Sequence, residues 1–462
     1  MYINNFLTEY DESLTGELNI DPLGQLVIWS AWGQGIFHRR ITSIANDVRQ
    51  YTLNLLHHAV MRDVMYNERL QTSGAMKKRY ASKQDRNFRF ACLIHLENIY
   101  IWSMLLAERQ GVTLTGVLGI LKARRRMESQ GDHPEIRFGH ESESCLLTNQ
   151  IALGTNGRYK SPMMDMQFFD THYRYDVPGS KEPWQAAESL IKKVPELREL
   201  YNAVRDYLRN LMQASRASDL SPRFDSRFDV LRKLYVKAFG HPEYVGQYSR
   251  DFWLNMTGLN RNAAGALYRV IDRERKLEPK QEYTPAQIFE LAWSETDNRQ
   301  DIDEDERLTL SHIIQAEPFL SLVDLMFRGL QRQSQQTQAE FRAFWQSRGL
   351  SDDSLPHMAS QLQKNCALLQ SLTGTPKYRF QRLLEVAAEP KLESQVAELL
   401  GYHSSIMAVR GQFSWMTLND NVLSLQVSPF SLSGQRKNDD WVNHYYLPQF
   451  RHMLSKLWGE AS

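Results

Sequence analysis

Cysteine is scarce in this chain of 462 residues, which contains only three. Cys92, Cys145 and Cys366 lie too far apart for a disulfide framework or a CxxC zinc site, so we expect buried free thiols in a reducing cytosol. An excess of charge of one sign is also missing, because the formal net charge is +1. The chain as a whole is therefore not a polyanion binder, and any contact with nucleic acid has to come from a local patch.

Long apolar runs are absent as well. The longest are interrupted well short of the roughly 18 residues that a membrane-spanning helix needs, so no transmembrane helix is predicted. Residues 1–10 contain Glu9 and no basic region, unlike a secretory signal. We therefore expect a cytoplasmic protein without a membrane partner. Walker A, GxGxxG, GxSxG and HExxH motifs are also missing, which argues against ATPases, dinucleotide enzymes, α/β-hydrolases and zincins.

Apolar residues recur at helical spacing along most of the chain, and 20 Phe, 20 Tyr and 10 Trp supply core material. A first stripe runs from Ile44 through Val48 and Tyr51 to Leu55, with Ser43 as the predicted N-cap. Residues 18–37, in contrast, predict a short strand or a buried turn. The fold class predicted is mainly α, a multi-helix bundle. Its other predicted helices lie near 90–107, 112–127, 184–216, 225–239, 243–256, 262–276, 285–296, 304–330, 337–347, 353–371 and 377–388.

Local signals mark the ends of some of these helices. The segment from Thr284 to Gln287 has the pattern of a capping box with proline at the first helical position. Pro318 predicts a break or a kink in the helix around it. The aromatic-rich segment 439–458 predicts a final helix that is broken near Pro448.

The segment 391–410 carries the best motif. Ala397 provides a small residue on a first helix, and Gly401 follows four residues later, where a turn needs a left-handed backbone. Apolar side chains would fill the seam between the two helices, whereas Arg410 stands where an apolar residue is usual. This pattern resembles a helix-turn-helix. The seam residues are Val396, Leu400, Tyr402 and Met407.

Alternating apolar and polar residues follow this motif, from Phe413 to Thr417 and again from Leu423 to Val427. Asn419 to Asn421 lies between the two runs and supplies turn residues, so a β-hairpin is predicted. Two helices followed by a hairpin resemble a winged helix over residues 391–428. That resemblance implies either contact with DNA, through the second helix and the segment after the hairpin, or a winged helix that serves protein contacts or packing. The residues concerned are His403, Ser404, Arg410, Arg436 and Lys437.

A basic run near the N-terminal third offers a second local patch. It follows a loop and precedes the predicted apolar helix 90–107, and we interpret it as a possible nucleic-acid contact. Its residues are Lys77, Lys78, Arg79, Lys83 and Arg86.

A hydrolytic alternative rests on acid and histidine residues. Residues 129–182 are rich in glycine and proline and lack periodicity, and they contain the cluster Asp165, Asp170 and His172, which we interpret either as a metal-assisted site or as a hydrogen-bonded surface loop. The spacing of Arg307 and His312 resembles the ribonuclease motif of HEPN-type helical domains, as does the spacing of residues 89 and 95. An apolar residue follows the arginine in both, whereas a polar one is usual in that family.

These features predict four regions: an N-terminal helical domain (1–128), an irregular junction (129–182), a central helical domain (183–375), and a winged-helix-like module with a C-terminal helix (376–462). The chain as a whole looks like an accessory subunit of a bacterial multi-protein system, such as an anti-phage defence system. We predict a non-catalytic binding or scaffolding subunit without cofactor or metal. Its expected partners are other protein subunits, with double-stranded DNA as a further candidate. A nuclease or other metal-assisted hydrolase is the alternative.

Overall fold

A computed structural model describes residues 21–72, 74–112, 116–279, 281–297, 299 and 301–460. These residues are mainly helical with one small sheet, which confirms the predicted fold class. In chain order the α-helices are α1 (Leu26–Ile36), α2 (Val48–Tyr66), α3 (Gly74–Arg79), α4 (Arg86–Arg109), α5 (Ile120–Gln130), α6 (Gln150–Leu153), α7 (Thr155–Arg158), α8 (Lys160–Asp165), α9 (Lys181–Lys193), α10 (Pro195–Met212), α11 (Asp229–Phe239), α12 (Pro242–Thr257), α13 (Asn262–Arg275), α14 (Pro285–Thr296), α15 (Glu304–Leu330), α16 (Gln338–Ser347), α17 (Ser354–Gln363), α18 (Cys366–Ser371), α19 (Gly374–Ala387), α20 (Leu392–Val409) and α21 (Leu447–Leu457). The strands are β1 (Gln335–Thr337), β2 (Met416–Asn419) and β3 (Val422–Leu425).

The chain divides into two compact units. Among the described residues, unit 1 comprises 39–257 and 449–460, and unit 2 comprises 21–38 and 258–448. These limits differ from the four regions predicted from composition, because each unit is assembled from segments that are distant in the sequence.

Unit 1 is organised around α2, which packs against α4, α9, α10 and α12. Asp47 caps α2 by accepting hydrogen bonds from the backbone amides of Arg49 and Gln50, so the predicted cap at Ser43 is wrong. A carboxylate at the N-cap satisfies amides that have no partner in the first turn.

Helix α4 is buried over nearly its whole length. It is the one helix in the described residues that is long and apolar enough to cross a membrane, and 94% of its most apolar window lies inside the protein. A buried core helix has the same length and composition, so this helix is weak evidence for a membrane span.

The irregular segment 129–182 folds into short pieces: a 3₁₀ turn at Ser142–Ser144 and the helices α6, α7 and α8. The helix predicted over 184–216 is two helices, α9 and α10, which are separated at Val194 by Pro195. Pro195 occupies the first position of α10, where its missing amide hydrogen costs no hydrogen bond.

Unit 2 is centred on α15, which packs against α1, α13, α14, α16 and α17. The strand or turn predicted within 18–37 is wrong for the described residues, because α1 is a helix of 11 residues. A side chain at Gly33 would place its Cβ 2.8 Å from the ring of Tyr446, so close packing requires this glycine.

One of the local predictions for unit 2 is confirmed, and the others differ from the structure. The capping box at Thr284 and Gln287 is confirmed, with both reciprocal hydrogen bonds formed. Helix α15 continues through Pro318 without a break. The helix predicted over 353–371 is interrupted between α17 and α18, and α21 begins at Leu447, so that Pro448 lies in its first turn rather than within a longer helix.

The sheet is antiparallel with the strand order β1–β3–β2. Strands β2 and β3 form the predicted hairpin, in which Met416 pairs with Leu425 and Asn419 pairs with Val422. Asp420 and Asn421 form its two-residue turn with φ values of +48° and +66°, a left-handed pair that favours Asn and Asp. Strand β1 was not predicted.

Helix α20 corrects the helix-turn-helix prediction. Its 18 residues include both Ala397 and Gly401, so the turn predicted at Gly401 is wrong. The left-handed glycine that ends the helix is Gly411, with a φ of +70°, and the amide of Gln412 closes this end by donating to the carbonyl of Met407 at 2.9 Å.

Candidate functional site

The predicted basic run is only partly available to a ligand. Lys77 and Lys78 lie exposed on α3. Arg79 instead forms an ion pair with Glu141 at 2.7 Å. Among the described residues the run therefore offers three exposed cations, Lys77, Lys78 and Arg86, rather than the continuous patch that was predicted.

Lys83 and Arg86 belong to the same segment but differ in exposure, because Lys83 is buried and Arg86 is exposed. Lys83 is buried, and its ammonium donates to the backbone carbonyl of Asn67 at 2.5 Å, just beyond the C-terminal end of α2. A cation at a helix C-terminus is favoured by the helix dipole. The guanidinium of Arg86 lies 5.0 Å from the ring centre of Phe90. Contact of Lys83 with nucleic acid gains no support from this buried position.

The cluster Asp165, Asp170 and His172 does not converge. Asp170 accepts hydrogen bonds from the amides of His172 and Arg174, at 2.8 and 3.0 Å, and from the Arg174 side chain at 2.6 Å. Burial opposes ionisation of Asp170, but the hydrogen bonds from Arg174 and His172 lower its pKa below the usual value. Asp165 and His172 are exposed, and the described residues contain no group of three or more His, Cys, Asp or Glu side chains that could hold a metal.

The arginine–histidine pairs do not form open sites either. Arg307 lies in ion pairs with Asp297 at 2.7 Å and Glu304 at 3.2 Å. His312 is buried, and burial lowers the pKa of its imidazole.

The second pair is divided between two structural roles. Arg89 donates to the carbonyl of His172 at 2.7 Å, whereas His95 forms a hydrogen bond with Tyr207 at 2.7 Å. The nuclease hypothesis gains no support from these positions.

His403 and Arg410, which the winged-helix resemblance selected as contacts for DNA, both point into unit 2. The imidazole of His403 is fully buried and bonds through Nδ1 to the carbonyl of Pro22 at 2.9 Å. Burial lowers the pKa of His403, so it is neutral at pH 7. Arg410 pairs with Asp21 at 3.1 Å, and its side chain is only 12% exposed. Both side chains are therefore engaged within unit 2, and contact of His403 and Arg410 with DNA gains no support from their positions.

The segment after the hairpin is similar. Arg436 pairs with Asp324 at 2.8 Å and donates to the carbonyl of Ser321 at 3.0 Å, so its charge is used within unit 2. Lys437 and Ser404 are exposed and remain the two predicted contact residues of this module that a partner could reach.

The outward face of α20 consists of small residues. Side chains at intervals of three or four residues are exposed along one side, and they are Ala397, Gly401, Ser404, Ser405 and Ala408. A Cβ at Gly401 would have no described atom within 4 Å, so this face is open. Glu398 is the one charged residue exposed within the helix. Small residues allow the backbone of another helix to approach closely.

Two large apolar side chains adjoin the C-terminal end of this face. Val409 is 80% exposed and Phe413 is 94% exposed. We call the five small residues together with Val409 and Phe413 the α20 surface. Exposed apolar groups beside a nearly uncharged face are typical of a protein-binding surface. The sequence predicted a turn at Gly401 and a strand from Phe413, whereas Ser405, Ala408 and Val409 were not singled out as contact residues.

A polar network inside unit 1 fixes the irregular segment. The Nε2–H of His58 donates to Asn156 at 2.8 Å, and its Nδ1 accepts from the hydroxyl of Tyr175 at 3.0 Å. Burial lowers the pKa of His58 to about 3, and it has the same effect on His57 and His95. These three buried histidines are therefore neutral and structural.

Comparison with protein families, with curated proteins and with solved structures finds no match to this chain. The winged-helix resemblance and the association with anti-phage defence therefore stay predictions.

Proposed function

We propose that this chain is a non-catalytic binding subunit, and that it docks a partner protein through the α20 surface. The observation that carries the proposal is the exposure of Phe413 and Val409 at the end of a helix face made of small residues. Burying an exposed Phe side chain contributes roughly 1.5–3 kcal/mol, which is enough to anchor an interface.

The element order of unit 2 supports a docking role for α20. A helix precedes β1, α16 follows it, and α20 leads directly into the hairpin β2–β3, whose inner strand pairs with β1. This order resembles that of a winged helix with additional helices α17 to α19 inserted, and in that proposed correspondence α20 would be the second helix of the motif. The small, nearly uncharged residues on α20 favour a protein partner over DNA, since they provide no cation for phosphate.

The partner to which we commit is a second copy of this chain. In a two-fold contact the same residues face each other, so like charges on the surface would repel. The α20 surface contains no charged residue, and Glu398 is the one exposed charge that adjoins it within the helix. Two copies of the surface would therefore meet without repulsion between like charges on it.

Sedimentation velocity on the purified full chain tests the proposal, at concentrations from about 1 to 100 µM. We expect the wild type to shift from its monomer mass of 53.9 kDa towards twice that mass. Val409→Asp and Phe413→Asp should each weaken association at least about 30-fold, because each places a charge in a dehydrated contact.

A matched control is Val230→Asp, since Val230 is a valine that is 66% exposed on a helix of unit 1. Gly401→Leu is a second test that adds bulk where no described atom lies within 4 Å, so it should block docking without disturbing the fold. Far-UV circular dichroism confirms folding for every variant. A wild type that remains monomeric throughout, or association that is weakened equally by Val230→Asp, would refute the proposal.

A further inference from the structure

A cleft of about 690 Å³ lies within unit 1, between α2, α9 and α10. Its volume is that of a small-molecule site, which commonly falls between about 300 and 1,000 Å³. No predicted site residue lines it, and it is separate in sequence and structure from the α20 surface.

Positive charge dominates the lining of this cleft. Four cationic side chains face two carboxylates, which leaves an excess of two positive charges. The cations are Arg62, Lys192, Arg198 and Arg205, and the carboxylates are Asp63 and Glu188.

The four cations differ in how far they are neutralised. Arg62 pairs with Glu188 at 2.7 Å, and Glu188 also lies 3.8 Å from Lys192. Arg198 has no carboxylate partner among the described residues, and its guanidinium donates only to the backbone carbonyl of Lys192 at 3.2 Å. Arg198 lies in the first turn of α10, where the helix dipole adds positive potential. Because Arg198 and Lys192 both line the cleft, an anion bound there can contact either cation.

Three aromatic side chains also line the cleft, together with Ala59, Asn67, Ile191 and Asn202. Trp184 is buried with the guanidinium of Arg62 over its ring at 5.1 Å, and the hydroxyl of Tyr201 donates to Asp63 at 3.1 Å. Tyr66 is 48% exposed, and its hydroxyl is held by Asp176 at 2.8 Å. A fixed, half-exposed ring presents a surface against which a planar ligand can stack.

We propose that this cleft binds a small ligand that combines a planar ring with a phosphate group, of which a nucleoside monophosphate is the representative. The phosphate lies at Arg198 and Lys192, and the ring lies against Tyr66. The volume of the cleft is that of a small molecule, which favours a free ligand over a nucleic-acid strand. This inference is independent of the proposed function, because every lining residue belongs to unit 1 and none belongs to the α20 surface.

Isothermal titration with AMP, adenosine and inorganic phosphate tests the proposal on the purified full chain. We expect AMP to bind more tightly than either fragment, and more weakly as salt is raised, since the phosphate contact is partly exposed. Arg198→Ala and Lys192→Ala should each weaken AMP about 10-fold, and leave adenosine unchanged. Tyr66→Leu should weaken both AMP and adenosine.

Lys193→Ala is the matched control, because Lys193 is the exposed neighbour of Lys192 and does not line the cleft. It should leave the affinity for AMP unchanged. Equal affinity for AMP and adenosine would overturn the phosphate contact, and equal affinity for AMP and inorganic phosphate would overturn the ring contact. The absence of any heat with AMP at millimolar concentration would overturn the whole proposal.

Discussion

Replacing Glu317 by glutamine should destabilise unit 2 by about 3 kcal/mol. The Glu317 carboxyl is fully buried on α15, and five donors surround it. Two of them are backbone amides of the segment before α21, so this one side chain links three parts of unit 2. The donors are Trp29 Nε1 at 2.7 Å, Tyr445 Oη at 2.6 Å, Ser321 Oγ at 2.9 Å, and the amides of Val442 and Asn443 at 3.0 and 2.9 Å.

The magnitude follows from what a glutamine can accept. In the more favourable of its two orientations, the glutamine side chain turns its NH₂ group towards Trp29 and Tyr445. The Tyr445 hydroxyl can rotate and accept a hydrogen bond from that group. The indole N–H of Trp29 can only donate, so it is left unpaired in a buried site at a cost of about 1–3 kcal/mol. The remaining bonds change from charged to neutral and lose roughly 1 kcal/mol each.

Removing a buried charge offsets part of this loss. Burial raises the pKa of Glu317 above its usual value, and the hydrogen bonds from Asn443, Tyr445 and Ser321 limit that rise. Three of the donors, two amides and an indole, cannot accept, so the arrangement fits the ionised carboxylate. We therefore expect the net loss to remain near 3 kcal/mol, on the order of the effect of breaking one buried polar network.

Urea unfolding at pH 7, followed by far-UV circular dichroism, measures this loss. Amide hydrogen exchange at Val442 and Asn443 provides a local readout, because both amides lose their acceptor charge in Glu317→Gln. Glu290→Gln is the matched control, since Glu290 is exposed on α14, and it should change the unfolding free energy by less than about 0.5 kcal/mol. If Glu317→Gln stays within that same limit, the reasoning about the buried carboxylate is refuted.

Two further predictions concern unit 1. The three buried histidines have pKa values of about 3, below the value of the unfolded chain, so the unfolded state takes up their protons first as the pH falls. As the pH falls from about 6.5 to 4, the unfolding free energy should decrease by up to about 1.4 kcal/mol per pH unit for each histidine. Urea titrations of His58→Gln should show a smaller dependence of the unfolding free energy on pH. An unchanged dependence would contradict the assignment of His58 as neutral. Lys83→Met should lower the unfolding free energy by about 2 kcal/mol while Lys77→Met has no effect, and the reverse ranking would show that Lys83 is not a structural cap.

Local sequence signals were sufficient where a helix depends on its own residues. The capping box at Thr284 and the end of α16 near Ser347 were predicted closely, because capping residues and apolar periodicity act within one or two turns. The hairpin was predictable for the same reason: Asp420 and Asn421 accept the left-handed turn that its strands require.

Two glycines that lie within helices had been predicted to lie outside them or in a turn. Gly33 belongs to the segment 18–37, for which a short strand or a buried turn was predicted, but it lies in α1, where only a glycine fits beside Tyr446. Gly401 was interpreted as the turn of a helix-turn-helix, but it lies on the open face of α20. A glycine within an apolar pattern signals either a left-handed backbone or a close neighbour, and the neighbour is distant in sequence.

Strand β1 forms although its own residues do not predict a strand. Gln335 and Gln336 have no strong preference for strands, and their neighbours include no apolar alternation. The strand exists because Leu423 and Ser424 pair with these glutamines, and because the Gln336 side chain donates to two carbonyls at the end of α15. A strand held by partners so remote cannot be identified from its own residues.

The predicted binding residues failed for a reason that applies beyond this chain. Charge can be read from a sequence, but whether a charge is available depends on whether the folded chain already neutralises it. Arg410 and Arg436 were selected for their charge, and each pairs with an aspartate distant in sequence. Arg198 was not selected, since a lone arginine in an amphipathic helix looks like an ordinary surface residue. Among the cations that line the cleft, it is the one without a carboxylate partner in the described part of the chain. A basic residue is therefore better evidence for a ligand site when the carboxylates around it are already engaged by other cations, and only the folded chain shows that balance.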